Sequence, residues 1–369
     1  MKRLVSIIVA ALLILNCLAF AAPASAEGKA LKIVATIFPE YDWVVAVLGE
    51  NPAGIQVTLL LDSGVDLHSY QPTPQDMLTV AECDLFLYVG GESDEWVEDA
   101  LRFATNKDMV VLNLLEMLGD AVKEEELVEG MEHDHDHDHD EDEHDEHEHD
   151  EDEHNHDEDE HDEHEHDHDE HDHDEDEHDH DEHEHDHEHE GEYDEHVWLS
   201  LRNAALLVKG IGEAIGQIDP ANADSYSANA AAYCEKLKAL DSRYSQAVAE
   251  APVKTLLFGD RFPFRYLVDD YGLSYYAAFS GCSAETEASF ETVVFLAQKV
   301  NELKLSAVMT IEGGNHKIAE TIVRSTKTGD QKILTLNSMQ SVTARDVANG
   351  ASYLAIMESN LAALQEALR

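Results

Sequence analysis

Three histidines outside a histidine-rich tract are the residues of this chain best suited to chemistry. Of the 24 histidines, 21 lie between residues 133 and 190. The other three, His68, His196 and His316, fall in segments that read as loops, where α/β proteins place their ligands. Neutral imidazole is a preferred nitrogen ligand of zinc, and three imidazoles with a carboxylate or water complete a tetrahedral site. Any one of these histidines alone would be read as an ordinary hydrogen-bonded side chain, but together they predict a metal site.

The histidine-rich tract is the second feature with metal-binding chemistry. Residues 131 to 190 contain 37 acidic residues and no lysine or arginine. Such a segment has no apolar surface to offset the entropy lost on ordering, so we predict a disordered, solvated loop over 131–192. Each His-x-His pair can bring two imidazoles onto one ion, which predicts weak capture of several metal ions. A solubilising acidic spacer is the alternative, but a spacer has no need of 21 histidines.

The charge balance and the cysteines limit the other classes of function. The formal net charge is -57, and the chain outside the tract is still acidic, which argues against nucleic acid and anionic membranes as partners and suits the attraction of cations. The four cysteines lie far apart, with no CxxC pair, at Cys17, Cys83, Cys234 and Cys282. This spacing does not indicate a cysteine zinc site, and it leaves one disulfide open.

The N-terminus has the order of a secretory signal peptide. Basic residues at positions 2 and 3 precede an apolar stretch over 4–22 and then Ala24-Ser25-Ala26. We therefore expect residues 1–26 to be removed and the protein to be exported. An uncleaved membrane anchor is the alternative, and lipid attachment at Cys17 is disfavoured because Leu15 and Asn16 precede it.

The positioning elements follow from an alternation of short apolar runs with helical patterns on both sides of the tract. This alternation predicts an α/β fold of two lobes, each with a mainly parallel sheet and flanking helices. One helical pattern over Ala223–Val248 predicts a long rigid helix joining the lobes. A single terminal helix is expected over Val342–Leu368. The expected domains are an N-terminal lobe over 27–130 that ends with 193–218, a linking helix over 219–251 and a C-terminal lobe over 252–369.

Three segments resemble a known family. The sequence His68-Ser69-Tyr70-Gln71-Pro72-Thr73-Pro74-Gln75-Asp76 is similar to the His-x-Tyr-x-Pro-x-Pro-x-Asp signature of the zinc and manganese solute-binding proteins of ABC importers. The segments His196–Ser200 and Tyr353–Leu361 resemble two further parts of that family, and the resemblance spans nearly the whole mature chain. It implies a metal held between the two lobes.

The resemblance also implies a ligand set, from which this chain departs. His68 and His196 match two ligand positions of the first lobe. The second lobe of the family supplies a histidine or glutamate after a strand, whereas this chain has Gly259-Asp260-Arg261-Phe262 there. His316 lies near the position of a later acidic ligand. We therefore predict ligands at His68, His196 and His316, with Asp260 as a weaker fourth and with Glu285, Glu287 and Glu312 in reserve.

Three imidazoles favour zinc over manganese, although copper and nickel would also bind such a site. Relatives specific for zinc commonly carry a loop like the tract.

The expected function is an extracytoplasmic receptor, monomeric and not an enzyme, that captures Zn²⁺ and delivers it to the membrane permease of an ABC importer. The alternatives are a manganese receptor of the same family, a secreted zinc buffer or adhesin without a transporter, and a zinc hydrolase. The hydrolase alternative is disfavoured because this sequence has no HExxH helix, no phosphate-binding loop and no GxSxG elbow.

Overall fold

Two parallel sheets form the framework of the protein. The computed structural model describes residues 30–131, 193–283 and 287–369, so the predicted signal peptide, the histidine-rich tract and Glu285 lie outside the described residues. Each sheet has four strands, in the orders β2-β1-β3-β4 and β6-β5-β7-β8, and every neighbouring pair is parallel. The predicted two-lobed α/β fold is confirmed.

The first lobe contains β1 (Lys32–Ala35), α1 (Phe38–Leu48), β2 (Gln56–Leu59), α2 (Pro74–Ala81), β3 (Leu85–Tyr88), α3 (Trp96–Arg102), β4 (Val110–Asn113), α4 (Leu114–Leu118) and α5 (Leu201–Ile218). A long helix, α6 (Ala223–Glu250), follows it. The second lobe contains β5 (Thr255–Arg261), α7 (Arg265–Tyr271), β6 (Ser274–Phe279), α8 (Phe290–Leu303), β7 (Ala307–Ile311), α9 (Lys317–Ser325), β8 (Lys332–Leu336), α10 (Ala344–Ala348) and α11 (Tyr353–Ala367).

Helix α2 begins where the sequence places its start. The Thr73 hydroxyl accepts a hydrogen bond from the Asp76 amide at 3.2 Å, and the Asp76 carboxylate accepts one from the Thr73 amide at 2.8 Å. This reciprocal capping, with Pro74 in the first turn, satisfies backbone donors that would otherwise lack partners. The loop before it, which carries His68, is therefore anchored at its end.

The long helix α6 is attached to both lobes. Its 28 residues present one buried face. The Asn229 side chain donates to the Val47 carbonyl at 2.9 Å, and the Tyr244 hydroxyl donates to the Met357 carbonyl at 2.6 Å. Because α6 thus contacts both α1 and α11, it is a packed element rather than a free linker.

The predicted single terminal helix was wrong. The structure divides it into α10 and α11, because Gly350 has φ of +91°, a backbone conformation that interrupts a helix and suits glycine. The Ser352 hydroxyl then accepts from the Ala355 amide and starts the second helix.

One hydrophobic core extends through both lobes, and a smaller one packs between the second sheet and helices α8 and α9. Where the lobes meet, the Trp198 indole donates to the Ser338 carbonyl at 2.8 Å. The Tyr353 hydroxyl donates to the Trp198 carbonyl at 2.6 Å. These buried bonds tie the start of α5 to the end of the second sheet. No helix among the described residues is long and apolar enough to cross a bilayer.

Glu40, in the first turn of α1, lies in the core of the first lobe. One of its carboxylate oxygens accepts from the Thr36 amide at 2.8 Å, while the other is buried without a hydrogen-bond partner. Burial, together with the nearby Asp94 carboxylate, raises the pKa of Glu40 from 4.5 to about 8. The unfolded chain therefore binds fewer protons than the folded one between these two values, and the stability falls as the pH rises through that window.

We predict that Glu40→Gln flattens this pH dependence, because the amide keeps an oxygen for Thr36 and cannot ionise. The measurement is urea unfolding of the metal-free protein at about pH 5 and about pH 8.5. The loss of unfolding free energy between the two pH values should be smaller in the variant than in the parent protein. An equal loss in both proteins would contradict the account.

Candidate metal centre

Two of the three predicted histidines meet at one point. His68 lies in a single 3-10 turn, Leu67–Ser69, in the loop after β2, where the Asp66 carboxylate accepts from the His68 amide at 3.1 Å. His196 directly precedes another such turn, Val197–Leu199, that leads into α5, and it is fully buried. Their Nε2 atoms lie 3.1 Å apart. Two nitrogens bound to one zinc at about 2.0–2.1 Å would lie about 3.3–3.4 Å apart at a tetrahedral angle, so the pair is spaced for one ion.

Side chains behind the two imidazoles fix their orientation. The Nδ1 atom of His196 lies 2.9 Å from a carboxylate oxygen of Asp194. The Nδ1 atom of His68 lies 2.8 Å from the Ser93 hydroxyl and 3.4 Å from a carboxylate oxygen of Glu195. A neutral imidazole carries one N–H, and these partners can accept it when it is at Nδ1. Both Nε2 lone pairs therefore point at the same place, which is how metal-binding histidines are held.

A third donor joins them from the second lobe. The ligand atoms of His68, His196 and Cys282 all lie within 4.8 Å of one another, the only such group among the described residues. Cys282 follows β6 as His68 follows β2, and these two strands occupy equivalent edges of the two sheets. The absence of a CxxC pair hid this residue in the sequence, but its place after the carboxyl end of a strand could have indicated it.

Gly281 allows the cysteine to approach. A Cβ atom at this position would lie 3.0 Å from His196 Cε1 and 3.0 Å from the Phe262 carbonyl oxygen, closer than side chains normally pack. The backbone amide of Cys282 donates to the Glu125 carboxylate at 3.1 Å. The loop after β6 thus rests directly on the imidazole ring of His196.

Asp66 connects the parts of the centre. It accepts from the Arg261 guanidinium at 2.6 Å. With the Gln340 amide oriented to donate, its nitrogen lies 2.8 and 2.9 Å from the two Asp66 oxygens, and its oxygen lies 3.1 Å from His196 Nε2. Burial alone would raise the pKa of Asp66, but the Arg261 guanidinium outweighs it and holds that pKa below its usual value. Asp66 therefore stays ionised and balances the arginine charge.

His316 and Asp260 are not brought into the group of three donors. Both line a neighbouring cavity of about 350 Å³ that also contacts Asp66. Asp260 accepts from the amides of Arg261 at 2.9 Å and Ile311 at 3.2 Å, so its oxygens already serve the backbone. Their roles as ligands stay predictions.

Two of the reserve carboxylates are described. Glu312 accepts from the Ser338 amide at 2.6 Å and the Ser338 hydroxyl at 2.8 Å, which makes it a support for the loop after β8. Glu287 is exposed in the segment before α8. The third, Glu285, lies outside the described residues.

The electrostatic environment prepares these donors for a cation. Burial and the neighbouring His196 lower the pKa of His68 to about 3, so its imidazole is neutral and free to bind a metal at neutral pH. Burial and the Glu125 and Asp194 carboxylates raise the pKa of the Cys282 thiol. The thiol therefore keeps its proton until a metal ion displaces it.

Comparison with known proteins gives the family. The family model described as ZnuA, zinc-uptake complex component A, periplasmic, matches residues 33–367. The chain belongs to this family. The resemblance of the His68–Asp76 segment is thereby confirmed. Proteins similar to this chain include the zinc-binding protein AdcA of Streptococcus pyogenes serotype M6, 26% identical over 344 residues, which are 92% of this chain.

Two further comparisons cover the chain. The high-affinity zinc uptake system protein ZnuA of Bacillus subtilis is 28% identical over 345 residues, 94% of this chain and 90% of that protein. The crystal structure of the Zn(II)-bound ZnuA-like domain of Streptococcus pneumoniae AdcA matches with a TM-score of 0.62 at 25% identity, over 92% of this chain and 99% of that domain. The match to the S. pyogenes protein covers only 56% of its length, so this chain spans little more than half of that relative.

We predict that Asp66→Asn weakens zinc binding by about 10–100-fold, the usual cost of losing a partner behind a metal ligand. The asparagine can still cap the turn but leaves the Arg261 charge uncompensated beside the ion. Adding Arg261→Gln should therefore recover part of the affinity. The measurement is zinc titration against a competing chelator.

The control for that experiment is Asp99→Asn, which removes an exposed carboxylate that pairs with Arg102. It should leave the affinity unchanged. A double variant that binds zinc more weakly than Asp66→Asn alone would show that the charge balance is not what Asp66 supplies.

Proposed function

We propose that the protein is an extracytoplasmic receptor that captures Zn²⁺ at His68 and His196 and delivers it to the permease of an ABC importer. The observation that carries the proposal is the pair of Nε2 atoms 3.1 Å apart, each backed by a partner at Nδ1. The His196 imidazole is fully buried and held from behind, so its Nε2 atom is fixed toward His68 as metal-binding imidazoles are.

Zinc is the ion that suits these donors and the relatives' names. Imidazole ligands suit zinc, whereas manganese prefers carboxylate, carbonyl and water oxygens. The relatives are named for zinc binding and zinc uptake. As a cargo site it needs no catalytic base. Asp194 is engaged with the ring and the amide of His196, and one oxygen of Glu195 accepts from the Ser93 amide.

The same family relation supports export and delivery. The family model is described as periplasmic, a relative from Streptococcus pneumoniae is named a lipoprotein, and this chain carries a signal-peptide pattern at its N-terminus. The histidine-rich tract, outside the described residues, would collect zinc weakly near the receptor. A neighbouring permease and ATPase would take the ion, with the receptor acting as a monomer.

We expect one tight zinc site to persist when residues 133–190 are deleted, because the deletion removes only the tract between two parts of one compact unit. His68→Ala combined with His196→Ala in that deletion protein should abolish the tight site. Calorimetric titration with zinc and with manganese, in the presence of a competing chelator, measures both.

The matched control is the same double substitution in the full chain, which should keep only weak binding to the tract. Manganese should bind the deletion protein more weakly than zinc. Absence of a tight site in the deletion protein would make the tract the main reservoir, and the protein would then be a zinc buffer rather than a transport receptor.

A further inference from the structure

We infer that the Cys282 thiolate is the third zinc ligand of the centre and that the Gln340 carbonyl oxygen faces its fourth position. This inference rests on the proposed function and names the donor set of that same site. The donors would be two imidazole nitrogens, one sulfur and one amide oxygen, with no carboxylate bound to the ion.

The position of the Cys282 sulfur allows it to share an ion with the two histidines. The Cys282 sulfur and the two histidine nitrogens lie within 4.8 Å of one another. For zinc–nitrogen bonds of about 2.05 Å and a zinc–sulfur bond of about 2.3 Å, a tetrahedral ion needs nitrogen and sulfur about 3.6 Å apart. The loop after β6 would have to move inward by about 1.2 Å at most to reach that geometry.

The convergence of lone pairs also favours a shared ion. Asp194 lies 2.9 Å from His196 Nδ1 and can accept an N–H there, which leaves the Nε2 lone pair of His196 for a metal ion. That Nε2 atom lies 3.1 Å from His68 Nε2 and, with the Gln340 amide oriented as above, 3.1 Å from the Gln340 oxygen, to which an N–H at Nε2 would donate. A metal ion can replace that proton and satisfy all three atoms at once. Cys282 lies beside them and adds the one donor that becomes an anion on binding.

Contacts on both sides of Cys282 restrain the loop after β6. Gly281 contacts the ring of His196, and the Arg261 guanidinium donates to the Ser283 carbonyl at 3.4 Å. Since Arg261 also pairs with Asp66, the residues on both sides of Cys282 are held to the elements that carry the histidines. The loop therefore holds Cys282 beside the histidines. Neither Cys83 nor Cys234 belongs to a group of possible metal ligands among the described residues.

The chemistry of this donor set decides which ions it selects. Thiolate and imidazole favour zinc and softer ions such as cadmium, whereas manganese gains little without oxygen anions. When zinc forms its bond to sulfur, the S–H bond breaks, the electron pair stays on sulfur and the proton leaves to solvent. The bound centre then carries one positive charge, from a divalent ion and one thiolate.

The test uses Co²⁺ as a spectroscopic substitute for zinc in the full mature chain. Coordination of cobalt by a thiolate gives a strong near-ultraviolet charge-transfer band that imidazole and carboxylate ligands do not give. The parent protein should show this band at one equivalent of cobalt, and zinc should remove it. Cys282→Ser should lose the band. Its zinc affinity should fall by more than the factor of about 10–100 that is typical for loss of a partner behind a metal ligand.

Cys234→Ser is the matched control, because Cys234 is half-buried on α6 and its thiol donates to the Ala205 carbonyl. It should keep the band and the affinity. Cys282→Ala serves as a second variant, and circular dichroism checks that each variant is folded. His316→Ala and Asp260→Asn test the neighbouring residues and should keep the band.

The outcomes separate the two claims. A tight zinc site without a thiolate band, or a band that survives Cys282→Ser, overturns the cysteine ligand and leaves the receptor function standing. The cysteine ligand is also overturned if His316→Ala loses the tight site while Cys282→Ser keeps it. A parent protein with no tight zinc site at all would instead contradict the proposed function.

Discussion

The centre depends on one ionic contact, between the Asp66 carboxylate and the Arg261 guanidinium at 2.6 Å. Asp66 begins the turn that carries His68, and Arg261 ends the first strand of the second sheet and reaches the loop of Cys282. The pair joins the two lobes at the place where the donors converge. It also solves an electrostatic problem, because a guanidinium beside a cation site would repel the ion unless a carboxylate balanced it. A largely buried pair of this kind is costly to break from one side only, which is why the two residues act as a unit.

The way the lobes are attached limits how an ion can enter and leave. Hydrogen bonds from Trp198 and Tyr353, and the packing of the long helix α6, join the lobes through a shared core. A hinge rotation would have to break this core. His196 is fully buried and rests on it, whereas His68 and Cys282 lie on loops that are only partly buried. Exchange of the ion is therefore expected to proceed by movement of the His68 and Cys282 loops, with His196 and the lobes staying in place.

The sequence predicted the lobes and the long helix, because both rest on local patterns of apolar residues. The meeting of His68 and His196 was expected only from the family resemblance of the segments that carry them. It could not predict the donor from the second lobe. Whether Asp260, His316 or Cys282 reaches the histidines depends on how the loops after β5, β6 and β7 pack, and on the missing side chain of Gly281. The broken terminal helix was missed for a similar reason, since Gly350 acts through its backbone conformation. The role of Gln340 likewise arises from its contacts with Asp66 and His196, which are distant in the sequence.

The most direct test of the account is a crystal structure of the zinc-loaded protein with anomalous diffraction at the zinc absorption edge. The account predicts one strong peak at about 2.0–2.1 Å from the Nε2 atoms of His68 and His196 and about 2.3 Å from the sulfur of Cys282. A peak in the cavity of Asp260 and His316, away from the paired histidines, would contradict it.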